Sequence, residues 1–273
     1  MSIVEVKNLS FQFSPEKEWA ALRAISFAVE KGELFSVIGR NGSGKTTLAR
    51  HLNALYLPQE GTVTVCGLDT SDAGNISEIR KKCGMVFAPS AERFVSSTVM
   101  GEVFFAAKCA GKNKNEAEEK GAETLKYTGM AGREKAHLSS LTEFEALCVQ
   151  LAAVLTAEPE LLVLDDAALR LSGEDMDRYS ALLTKLKEDG KTLLLFTARY
   201  EEAAMADRVL LLDKGCAAKC GSPREVLTDR EALAKAGIEL PFSLKVYYDL
   251  LDNEIKLEKP PLNMRELVEE ICL

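Results

Sequence analysis

Apolar and polar positions change period along this chain, and each change marks a new kind of element. "IVEVKNLSFQF" and "RAISFAVEKGELFSVIG" carry β-branched and aromatic residues at strand spacing. "LLVLDD" and "TLLLFT" are continuous apolar runs of strand length, the pattern of parallel strands covered on both faces. "DMDRYSALLTKLKEDG", between them, predicts a helix. So does "KTTLARHLNALY", which runs from Gly44 to the break at Pro58. "GTVTVCGLD" predicts a short strand with turn residues at both ends. From about Ser90 to Pro159 the spacing is helical, in "EVFFAAKCAG", "KNEAEEKGAETLKYTG" and "TEFEALCVQLAAVL". After "GSPREVL", "PFSLKVYYDLL" and "NMRELVEEICL" form a helical tail joined through "KPPL". The pattern predicts an α/β fold, with a strand–helix–strand core, a helical insertion and an appended tail.

Composition narrows this without redirecting it. The 273 residues are 47% hydrophobic, enough for a sizeable core. A formal net charge of -8 argues against nucleic acid or an anionic membrane surface as the main partner. No apolar run approaches the roughly 18 residues of a membrane span, and "MSIVEVKNLSF" lacks the regions of a signal peptide. The chain therefore reads as cytosolic, with any membrane role exerted through a partner. The cysteine count of 7 is odd, and no Cys/His spacing suits zinc. The amphipathic tail has acidic rather than basic polar positions, which suits dimer packing better than membrane anchoring.

The clearest chemistry lies in "GRNGSGKTT": Gly39, Arg40, Asn41, Gly42, Ser43, Gly44, Lys45, Thr46 and Thr47. It satisfies GxxxxGK[ST], follows the strand "LFSVI" and opens a helix, which is the context this motif needs to bind a nucleoside triphosphate. Gly42 and Gly44 let backbone N–H groups curl round a phosphate at a positive helix end. Lys45 can reach the β- and γ-phosphates, and the Thr46 hydroxyl can bind Mg²⁺. Asp165 closes the buried strand "LLVLD" and is the candidate second Mg²⁺ ligand; a helix cap or solvated turn is its alternative reading. Asp166 follows it directly.

Several stretches together resemble the ABC ATPases, most closely the ATP-binding subunits of energy-coupling-factor (ECF) transporters. They are "VKNLSFQF", "GRNGSGKTTLARHLNALYLPQEGTVTVCGLDT", "RKKCGMVF", "FVSSTVMGEV", "EEAAMADRVLLLDKG", "GSPREVL" and the tail. The resemblance implies a P-loop ABC-type nucleotide-binding domain over residues 1–227. That domain comprises a RecA-like lobe, an antiparallel β subdomain and a helical lobe inserted at about 89–159. A helical extension over 228–273 would complete the chain. The implied cofactors are ATP and Mg²⁺. The implied partners are a second ABC ATPase subunit, bound head to tail, and two membrane subunits, one coupling and one substrate-binding. Together these place the chain on the cytoplasmic face of the cell membrane, importing a vitamin or metal ion. Phe13 falls where the family stacks an aromatic ring on adenine; an ordinary strand-core Phe is the alternative.

The chain departs from that family at positions serving hydrolysis. Ala88 stands where a Gln usually follows "GMVF", and Ala198 where a His usually follows the strand "TLLLFT". Ser172 replaces a loop Asp, and Asp166 replaces the catalytic Glu, one methylene short. The signature LSGGQ aligns with "LTEFE", Leu141 to Glu145, or in a competing register with "LSSLT" at Leu138. In the first register Glu143 sets a negative charge against the partner's γ-phosphate, at a repulsion of about 3 kcal/mol per charge pair. Phe144 occupies a position that in the family is glycine. The resemblance thus leaves nucleotide binding intact and predicts weak hydrolysis, with a heterodimer favoured over a homodimer. The alternative is a non-hydrolysing, ATP-sensing or assembly subunit.

Overall fold

A computed structural model describes residues 2–14, 20–88, 94–255 and 257–272. The apolar runs become the centre of a six-stranded sheet. β3 (Leu34–Ile38), β7 (Leu161–Asp165) and β8 (Thr192–Thr197) are buried along their whole length. With β6 (Cys83–Phe87), β9 (Arg208–Asp213) and β10 (Cys216–Gly221), the order is β10-β9-β3-β8-β7-β6. All neighbours run parallel except the edge hairpin β9–β10. Both faces of β3, β7 and β8 are covered, so these central strands carry no solvent-facing polar row. Parallel register aligns the strand ends: Ile38 pairs with Thr197, while Asp165 pairs with both Phe196 and Phe87. The loops after β3, β6, β7 and β8 therefore emerge along one carboxyl edge, where open α/β sheets bind ligands.

The alternating N-terminal segments form a second, antiparallel sheet of order β2-β1-β4-β5. Its strands are β1 (Ser2–Phe11), β2 (Leu22–Glu30), β4 (Glu60–Val65) and β5 (Leu68–Asp69). The inward residues Val4, Val6, Ile25, Val29, Val63 and Val65 pack with Phe35 and Val37 of the parallel sheet in one core. "GTVTVCGLD" thus folds as two strands joined by a tight turn at Cys66 and Gly67, both at positive φ.

Helix α1 (Lys45–Leu52) stops earlier than its pattern predicts. Ala54 adopts φ 50, and the N–H groups of Leu55 and Tyr56 both donate to the Arg50 carbonyl, so the chain turns away before Pro58. α2 (Ile76–Lys82) precedes β6. The helical stretch contains α3 (Val99–Cys109), α4 (Lys114–Tyr127) and α5 (Glu143–Leu155), packed on one another. Thr98 caps α3, while Asn113 with Glu116 and Thr142 with Glu145 form capping boxes. The first residues of the expected helical lobe, 89–93, lie outside the described residues.

Beyond α6 (Glu174–Glu188) and α7 (Tyr200–Ala204), α8 (Pro223–Leu227) opens on a Ser222–Glu225 capping box with proline in the first turn. α9 (Arg230–Lys235), α10 (Phe242–Asp252) and α11 (Met264–Ile271) make up the tail. Leu233, Ala236 and Leu244 are buried in the main core, and Arg224 pairs with Glu266 at 2.9 Å. The seven cysteines are free thiols.

Candidate nucleotide-binding site

The loop after β3 is shaped by its glycines. Gly42 and Gly44 have φ 81 and 108. A Cβ at Gly44 would come within 2.7 Å of the Ala21 carbonyl, so the loop is seated against the start of β2 in a way only glycine allows. Lys45 is buried, and its Nζ donates to the carbonyls of Gly39 (2.7 Å) and Arg40 (3.3 Å). Thr46 Oγ1 donates to Asp165 Oδ1 at 3.2 Å. A hydroxyl and a carboxylate side by side at the strand edge are the oxygen donors Mg²⁺ takes beside phosphate, so the residues present fit that ion. Bound there, Mg²⁺ would neutralise phosphate charge. The structure thus places Asp165 in contact with the loop rather than at a helix cap.

Electrostatically the site is poised for charged ligands. Burial lowers the Lys45 ammonium below its ordinary value, opposed by Asp166 and Asp165. Burial pushes Asp165 up to about 6, opposed by the Thr46 hydrogen bond, while neighbouring Asp166 adds to the rise. Asp166 is also raised by burial, against the pull of Lys45 and a hydrogen bond from the Ala198 N–H. These groups are costly to hold charged without phosphate and metal.

Asp165 makes the stability of the fold depend on pH. Its folded value of about 6 lies above the ordinary 3.8, so the folded chain holds the proton longer than the unfolded chain. Its contribution is fully present below about pH 3.8 and is lost as pH rises through 6. The loss is on the order of 2 to 3 kcal/mol. In metal-free protein, Asp165→Asn should therefore raise Tm by several degrees at pH 7.5, with the gain shrinking toward zero near pH 4. Thermal melts across that range check this; an equal gain at every pH would refute it.

A cavity of about 600 Å³ runs from the phosphate loop to Phe13. Phe13 lies beyond the end of β1 with 57% of its surface exposed, so it is not a strand-core residue. Arg23, Lys214 and Gly215 also line the cavity and were not expected from the sequence. The Arg23 N–H donates to the Gly215 carbonyl (2.7 Å), lacing the start of β2 to the β9–β10 turn. No linear motif joins these segments; they belong to different sheets and meet only where the two sheets pack together.

Asp166 lines the same cavity as Phe13. It adopts φ 50, a left-handed conformation unusual for a side-chain-bearing residue, and its N–H donates to the Phe196 carbonyl at 2.8 Å. Ala198 contributes its backbone N–H to the Asp166 carboxylate and has no polar side chain. Ala88 is tied by its N–H to the Asp165 carbonyl (3.1 Å). Both histidines are elsewhere: His51 is buried with Nδ1 2.7 Å from the Thr47 carbonyl, and His137 bonds Ser139. Arg199 reaches back to the Leu171 and Ala168 carbonyls at 2.6 and 3.3 Å, bracing the loop that contains Ser172.

Thr142 is the N-cap of α5, whereas "LSS" forms a separate 3-10 turn, Leu138–Ser140. Glu143 does not stand as an isolated charge, because Arg170 pairs with it at 3.1 Å. Phe144, at the position that is glycine in the family, is 6% exposed and packs into the core, with the Arg178 guanidinium 4.3 Å from its ring centre.

Comparison with known proteins gives a consistent picture. The sequence model of the family described as "ABC transporter" matches residues 22–169. The energy-coupling factor transporter ATP-binding protein EcfA1 of Clostridium perfringens is 31% identical over 275 residues, covering 99% of this chain and 98% of that protein. The EcfA1 protein of Enterococcus faecalis is 34% identical over 89% of this chain and 88% of its own length. Among solved structures, cbiO1 from Clostridium perfringens, part of the ABC transporter complex cbiONQ, superposes with TM-score 0.77. It shares 25% identity and covers 88% of this chain and 96% of that one. The dimeric structure of MJ0796, a bacterial ABC transporter cassette, superposes with TM-score 0.71 at 22% identity over 81% of this chain and 99% of that one, a likeness of fold.

Proposed function

The chain belongs to the ABC transporter ATPases, among the ATP-binding subunits of energy-coupling factor transporters, and from that premise we propose a division of its chemistry. It binds MgATP firmly, hydrolyses it poorly on its own, and works by pairing with a second ABC ATPase subunit beneath a coupling and a substrate-binding membrane subunit. This places it peripherally on the cytoplasmic face of the membrane, serving uptake of a vitamin or metal ion. The observation that carries the reading is the cavity between Phe13 and the cluster of Lys45, Thr46 and Asp165. One end offers a ring for a base, the other a cation and two oxygen donors for phosphate and Mg²⁺.

Pairing with another ATPase subunit is supported by the placement of Thr142 and the Glu143–Arg170 pair at the α5 N-terminus. A membrane partner is supported by a groove of about 870 Å³ between the sheet and the helical stretch, lined by Leu55, Met85, Phe87, Ala106 and Val154. A heterodimer fits best, because a homodimer would combine the shortened Asp166 and the altered signature in both of its sites. Division of the chain into a nucleotide-binding domain over 1–227 and an extension over 228–273 fits this reading, with the tail packed on the core.

The second reading, an ATP-sensing subunit without turnover, is favoured by Ala88 and Ala198, neither of which offers a polar side-chain atom to an attacking water. The test is recovery of the tagged chain from solubilised native membranes with MgATP. Recovery with a second ATPase and integral membrane proteins supports the transporter reading; recovery as a lone soluble chain removes it.

A further inference from the structure

Phe13 is not a free ring on a loop. Phe11 meets it edge-on at 5.1 Å and 89°, and Tyr56 meets it edge-on at 5.7 Å and 84°. Phe11 and Tyr56 are themselves stacked at 5.3 Å with planes 13° apart. Tyr56 is fixed from below by Arg50 of α1: the guanidinium donates to the phenol oxygen at 2.8 Å and lies 5.5 Å from the ring centre. The Tyr56 N–H also donates to the Arg50 carbonyl at 3.1 Å. The residue before Phe13 is clamped separately. The Gln12 N–H donates to Gln59 Oε1 and the Gln59 amide donates to the Gln12 carbonyl, both at 2.8 Å. Gln59 thus extends the β1–β4 ladder by one side chain, beyond the Ser10–Glu60 pair.

We propose that Tyr56 and Gln59 are positioning residues for the base of the bound nucleotide, acting through Phe13. The inference rests on Phe13 being the base-stacking ring. Tyr56 fixes the ring's tilt through edge contacts, and Gln59 fixes the backbone that carries it. Because Tyr56 is anchored on Arg50, which stands on the helix that opens at Lys45, the base platform and the phosphate loop move as one body. A platform held this way spends little conformational entropy on binding, which is where preorganisation contributes to affinity.

The test compares Mg-ATP with Mg-tripolyphosphate by calorimetry on the full chain. The second ligand keeps the phosphates and lacks the base. Tyr56→Leu should weaken ATP on the order of tenfold and leave tripolyphosphate unchanged, in keeping with the energetics of base stacking on an aromatic ring. Gln59→Ala should shift ATP alone in the same direction by less. Tyr56→Phe, which keeps the ring and loses the Arg50 bond, should fall between wild type and Tyr56→Leu. Equal losses for both ligands would overturn the proposal, since they would mean damage to the phosphate loop through Arg50. Phe13→Ala separates the layers. If it leaves ATP affinity intact, the stacking assignment fails and the inference with it. If it weakens ATP while Tyr56→Leu and Gln59→Ala do not, the inference alone fails.

Discussion

Lys45→Ala should weaken MgATP binding by about a hundredfold or more in calorimetry on the purified chain. The ammonium is only 4% exposed and is held by the Gly39 and Arg40 carbonyls. It lines the same cavity as Thr46 and Asp166, so phosphate entering the loop meets a cation already desolvated and aimed. Hydrogen bonds to charged groups contribute about 1.5 to 3 kcal/mol each, and two lost to phosphate correspond to at least two decades in Kd. Lys45→Arg should not restore the affinity, because a planar fork cannot occupy a place built around a compact ammonium. A Kd for Lys45→Ala within about threefold of wild type would remove the phosphate loop from the account of binding.

The second large effect concerns turnover. Wild-type phosphate release should stay close to the Lys45→Ala blank, and Asp166→Glu combined with Ala198→His should raise it by about one to two decades. Asp166 is folded back on the strand ends: φ 50 and the Phe196 carbonyl fix its backbone, and the Ala198 N–H holds its carboxylate. One added methylene would carry that carboxylate further into the cavity it lines. Displacing a general base by about that length costs around a hundredfold, which corresponds to roughly 2.7 kcal/mol of barrier. The imidazole introduced by Ala198→His would supply the polar side chain that Ala198 lacks. No rise in the double variant, with ATP affinity preserved, would move the defect to the α5 N-terminus or to the missing partner. Wild-type release well above the blank would show that Asp166 suffices as it stands.

Much of this site was legible in the chain because its parts are local. A glycine-rich turn between an apolar strand and a helix can be read from nine consecutive residues, since backbone curvature and phosphate chemistry are both written in the residue types. Asp165 was legible because a carboxylate ending a fully apolar run has few roles. The early end of α1 was not legible, because "HLNALY" keeps helical spacing through the residues where Ala54 breaks it.

By itself, the sequence determined the α/β class, the phosphate loop, the Asp165–Asp166 pair and the loss of polar side chains at positions 88 and 198. These depend on the order of residues within short segments, where propensity and motif chemistry act. Tertiary structure alone decided what surrounds them. Strand register brought Thr46 onto Asp165 across 119 residues, and the packing of one sheet on the other set Gly215 against Arg23. Packing turned Phe144 inward and gave Glu143 a counter-charge in Arg170, neither of which residue type alone could show. Side-chain direction and charge pairing are properties of neighbours in space, and a chain folds distant segments into neighbours only when the whole core forms.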